Sequence, residues 1–146
     1  MLDRLFRSFR QQTEETEDDT ASLPRAVAAL LVEAARADEE YTDDEQQLID
    51  KILTAQFELS ADDAREVRAE AEAAQEAAND LYQFSRVVKE GLDRDGKMKL
   101  IEDMWRVVLT DDERDPHEEM VIRRLIGLIH LEDRDSTEAR RRAEAG

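Results

Sequence analysis

Apolar residues recur along this chain at three- and four-residue spacing, and no segment alternates apolar and polar as a strand would. Val27, Leu30, Leu31, Ala34 and Ala35 form a first stripe, running to about Ala37. Leu48, Ile49, Ile52 and Leu53 form the next, on a helix expected from about Asp43 to Phe57. Ala64, Val67, Ala71, Ala74 and Ala78 make a thinner stripe; small side chains bury little area, which predicts a peripheral helix and a solvated, acid-laced one. Leu81, Phe84, Val87, Val88 and Leu92 predict a helix ending near Gly91. The densest run, Leu100, Ile101, Met104, Trp105, Val107 and Val108, begins from about Lys97. A last apolar helix spans Pro116–His130. The expected fold is all-α: a single compact bundle of about seven helices.

One stretch occurs twice. Asp38–Leu53 (DEEYTDDEQQLIDKIL) matches Asp111–Ile126 (DDERDPHEEMVIRRLI) in its roles. An acid, Asp38 or Asp111, follows an apolar helical segment, and a short acidic loop comes next. Thr42 or Asp115 then caps a new helix, with Glu45 or Glu118 three residues in. The doublets Leu48/Ile49 and Ile52/Leu53 match Val121/Ile122 and Leu125/Ile126. The bundle is therefore read as two helix–acidic loop–helix repeats. Thr42-x-x-Glu45 is a capping box, in which hydroxyl and carboxylate each satisfy a backbone N–H at the helix start. Ser60 caps the following helix, and Asp93-Arg-Asp-Gly96 reads as a turn with a cap, since it lacks the later ligands of a calcium loop.

Composition narrows the function. Four Gly, two Pro and 40% charged residues suit helices. There is no cysteine, so disulfide and thiol chemistry are absent, in keeping with a cytoplasmic setting. No apolar run approaches membrane-spanning length, and Met1–Arg10 lacks the apolar core of a signal peptide. The net charge of −17 repels nucleic-acid phosphate and favours cations and basic protein faces. General surface acidity, for solubility or salt adaptation, is the alternative reading.

The chain divides into three parts. Residues 1–21 hold an amphipathic segment and an acidic tether. In Met1–Arg10, Leu2, Leu5, Phe6 and Phe9 share one helical face among arginines. That pattern reads as weak membrane-surface or partner contact, peripheral at the inner membrane, or as a segment folding back or fraying. Residues 22–133 form the helical domain, with Ser22 as first cap and Pro24 in the first turn. Residues 134–146 read as a polar helical tail with little to bury.

Candidate chemistry is sparse. No serine sits in a nucleophile elbow, His117 and His130 have no zinc-ligand spacing, and no glycine-rich phosphate loop occurs. His130 reads as a cap or core residue, and His117 as exposed. No pair of carboxylates is singled out for catalysis, so the chain reads as non-enzymatic; a metal-dependent acidic-site enzyme and a metal-free membrane-proximal adaptor are the alternatives. Hard cations take carboxylate oxygens. The doubled acidic loops thus offer a calcium or magnesium site built from Asp38, Glu40, Glu45, Asp111, Asp112, Glu113 and Glu118. Capping and helix-end solvation by the same acids is the competing account.

The motif Ala37-Asp38-x-x-x-Thr42-x-x-Glu45, with its repeat Asp111-x-x-x-Asp115-Pro116-x-Glu118, resembles the TerB-like tellurite-resistance family. That family also supplies a domain to DnaJ-type co-chaperones of the DjlA kind. The resemblance covers about Leu23 to Leu131. The glycine of the family's acidic turn is Glu39 in the first copy and Asp112 in the second. The resemblance implies an all-helical, cytoplasmic stress-associated module that works with partner proteins near membranes and has no established catalysis.

Overall fold

The computed structural model describes residues 23–37, 40–78, 82–110 and 116–145. The amphipathic segment and tether, the Ser22 and Asp115 caps, and the acids Asp38, Asp111, Asp112 and Glu113 lie outside these residues. Seven helices occur among the described residues, with no strand: α1 Leu23–Arg36, α2 Asp43–Phe57, α3 Ala61–Ala77, α4 Tyr82–Gly91, α5 Arg94–Leu109, α6 Pro116–Leu128 and α7 Asp133–Ala145. The all-α bundle expected from apolar spacing is what forms.

Helix α1 lies at the centre. Nine of its residues, from Ala26 to Ala35, are buried, and it packs against α2, α3, α4, α5 and α6. A helix apolar nearly all round can only be stable when enclosed in this way. Helix α5 is its counterpart, burying Leu100, Ile101, Met104, Trp105, Val107 and Val108. The helix starts follow local chemistry. The Oγ1 of Thr42, Oγ of Ser60 and Oδ1 of Asp93 accept from the backbone N–H groups of Glu45, Asp63 and Gly96. Thr42→Ala should therefore cost about 1 kcal/mol in denaturant unfolding, the usual loss for an N-cap. An unchanged midpoint would mean that the cap is not what starts α2.

The alanine-rich α3 is the peripheral, solvated helix expected: only Ala64 and Ala71 of it are buried, and it packs on α1 and α2. Its contact with α1 is nonetheless extensive, because small side chains let the two backbones approach closely. One expectation is corrected: the C-terminal segment is not a tail with little to bury. Helix α7 packs along α5, burying Ala139 and Ala143 and covering Trp105, whose Nε1 donates to Ser136 Oγ at 3.2 Å.

The packing is thus consistent with a larger unit than the two-helix repeat. Helices α1, α2 and α3 pack among themselves as α5, α6 and α7 do, with α4 joining the two sets. Both middle helices end near a left-handed residue, Glu58 (φ 54°) after α2 and His130 (φ 65°) after α6. The starts of α3 and α7 also correspond. Asp135 accepts from the Glu132 N–H at 2.8 Å and from Arg94 at 2.7 Å, an acid three residues into its helix like Asp63. That backbone bond, with Arg94 beside it, holds the Asp135 carboxyl below the usual range.

Candidate functional site

The acidic corners are built from the ends of α1 and α5 and the starts of α2 and α6. At the first corner, Glu45 lies three residues after the cap and is 1% exposed. Its Oε1 accepts from the Thr42 N–H at 2.8 Å and from the Thr42 hydroxyl at 3.1 Å. The Glu45 N–H donates to that hydroxyl at 3.1 Å, completing the expected capping box. Glu40 is exposed on the loop leading into this turn. At the second corner, Glu118 stands in the first turn of α6 and is 0% exposed. The two glutamates placed in register by sequence are therefore both buried, which is unusual for a carboxylate and needs compensating contacts.

Of the seven proposed cation ligands, Glu40, Glu45 and Glu118 are described. Among the described residues, no three His, Cys, Asp or Glu side chains are grouped to hold a metal ion. His117 is exposed in the first turn of α6, as expected, and His130 is the exposed left-handed residue after that helix.

The first corner is anchored by a network that apolar spacing does not reveal. Tyr41, directly after the acidic loop, donates its hydroxyl to Glu72 Oε2 at 2.5 Å. Arg68 donates to the same oxygen at 2.8 Å, to Asp50 Oδ1 at 2.6 Å and to Gln46 Oε1 at 3.1 Å. The Arg36 guanidinium lies 5.0 Å from the centre of the Tyr41 ring and donates to Gln75 Oε1 at 2.6 Å. Gln75 in turn donates to Glu33 Oε2 at 2.5 Å. These bonds tie the loop and α2 to α3, so the corner is held from behind. Burial, with Glu72 beside it, pushes the Tyr41 phenol well above its usual range. Burial alone would lower the Arg68 guanidinium, but Asp50 and Glu72 outweigh it and hold the charge more firmly than usual. The sequence signal was slight: Arg68 and Glu72 stand one helical turn apart.

The second unit differs where it should match. Asp103 on α5 stands at the place of Leu30 on α1 and is 1% exposed. Burial pushes its carboxyl up, against the pull of Lys99 at 3.4 Å and Arg106 at 3.9 Å.

Comparison with known protein families then decides what this fold is. A family model described as tellurite resistance protein TerB matches residues 24–141. The chain belongs to the TerB family. The match takes in all seven helices, and runs through most of α7, the helix that polarity alone had read as a tail. No curated protein and no solved structure matches the chain. Among the described residues of this TerB chain, no helix is long and apolar enough to cross a membrane.

Proposed function

We propose that this chain is a non-enzymatic TerB module of the tellurite or stress response. It binds partner proteins through their basic faces and takes up a divalent cation, calcium or magnesium, at its acidic corners. The observation that carries this reading is the matched burial of Glu45 and Glu118 in the first turns of α2 and α6, each shortly after an acidic stretch of the sequence. Carboxylates taken from water at equivalent places suit a role in which their oxygens are held in fixed positions, as hard-cation sites require. The net charge of −17 supports both the cation and the basic partner. The same reading places the chain in the cytoplasm, with Met1–Arg10 available for contact at the inner membrane.

Thermal unfolding tests the cation. A ligand bound only by the native state raises the melting temperature. Any salt also stabilises so acidic a chain by screening its self-repulsion. The control is therefore monovalent salt at matched ionic strength, and only the excess effect of the divalent ion counts. Millimolar calcium or magnesium should give such an excess, and Asp111→Asn with Glu118→Gln should remove it. No excess, or one that survives both substitutions, would leave the corners as capping devices.

A further inference from the structure

The two three-helix units share an arginine, and only one unit closes it. In the first, Arg68 of α3 is held by Asp50 at 2.6 Å, Glu72 at 2.8 Å and Gln46 at 3.1 Å. In the second, Arg140 of α7 takes the place of Arg68, Glu144 that of Glu72, and Glu119 of α6 that of Gln46. The contacts are looser. Glu119 lies 3.6 Å and Glu144 3.5 Å from the Arg140 guanidinium, beyond hydrogen-bonding distance. The carboxylate corresponding to Asp50 is missing, because that position is Arg123. Among the described residues Arg123 is exposed and makes no hydrogen bond or ion pair.

Arg123 and Arg140 line one cleft of about 310 Å³ between α5, α6 and α7, together with Trp105, Ser136 and Thr137. The acids of the lining are Glu119, already leaning on Arg140, and Asp133 at the start of α7. A guanidinium presents five N–H donors in a planar fork suited to an oxyanion. Two such groups on one cleft, in a chain of charge −17, are an unfilled version of the clamp that Asp50 completes in the first unit. We propose that this cleft binds a small oxyanion, a carboxylate or phosphate, between Arg123 and Arg140. The bound group answers the Arg140 guanidinium as the Asp50 carboxylate answers Arg68 in the first unit. Nothing in this depends on a cation at the acidic corners, although Glu119 of the lining directly follows Glu118 in the first turn of α6.

Trp105 reports on the site. It is the only tryptophan of the chain, and the Arg140 guanidinium lies 4.8 Å from the centre of its ring. An anion that draws on Arg140 alters this cation–π contact and hence the emission. The full-length protein is titrated with succinate and, separately, with inorganic phosphate, against chloride at matched ionic strength. A saturable change in emission beyond that of chloride is expected with at least one of them, and which one responds distinguishes carboxylate from phosphate. Arg123→Gln should weaken the response about tenfold, as loss of one charge-assisted hydrogen-bonding partner does. Arg124→Gln removes the same charge one residue away, outside the cleft lining, and should leave the response unchanged. Failure of both anions to exceed chloride overturns the proposal. So does a response unaltered in Arg123→Gln, or one weakened equally in Arg124→Gln.

Discussion

Leu30→Ala should destabilise the protein by about 3–4 kcal/mol, the range for a fully enclosed leucine whose cavity cannot collapse. Leu30 is fully buried on α1, the helix against which most of the bundle is assembled. That helix packs against members of both three-helix sets. Domains of this size are stable by only about 5–15 kcal/mol, so the loss is a large share of the total. Urea unfolding should show a lower midpoint with an unchanged slope. A loss below about 1 kcal/mol would mean that α1 is not the centre of the core.

Arg68→Ala should cost about 2–3 kcal/mol. Breaking a buried ion pair typically costs about 3–5 kcal/mol, because the other charge is left without compensation. The lower figure here reflects partial solvent access, with the Arg68 side chain 15% and that of Glu72 22% exposed. Without the guanidinium, Asp50 and Glu72 face each other as like charges, and Glu72 keeps only the Tyr41 hydroxyl of its two side-chain donors. Arg68→Met retains much of the aliphatic stem, so comparing the two variants separates packing from charge. Chemical denaturation measures both. A cost under about 0.5 kcal/mol for each would place the network among ordinary solvated pairs and remove its role in holding the first corner.

What the sequence made legible is what acts over one or two helical turns. The Thr42–Glu45 box, the Ser60 and Asp93 caps, and the apolar doublets of α2 and α6 all involve residues a few positions apart. Their consequences follow from backbone geometry alone. The unforeseen features join residues distant in the chain. Tyr41 and Glu72, or Arg68 and Asp50, look like any other polar residues until the helices are packed. Asp103 shows the limit from the other side: a carboxylate occupies a place that periodicity reserves for a residue such as Leu30. Helix α7 was undervalued because alanine carries little apolar area, while its smallness is what permits close packing. Helix α7 also hid Ala139 and Ala143 among arginines and glutamates, whose long stems lie over the surface. For the corners, the register of Glu45 with Glu118 was readable, and their burial was not, since a first-turn acid is ordinarily exposed.

The claim that the acidic corners bind a cation is tested most directly by heteronuclear NMR, with calcium and magnesium each titrated at matched ionic strength. Saturable shifts confined to residues 38–45 and 111–118 are the predicted result. Shifts spread over the acidic surface, or reproduced by monovalent salt, would contradict it.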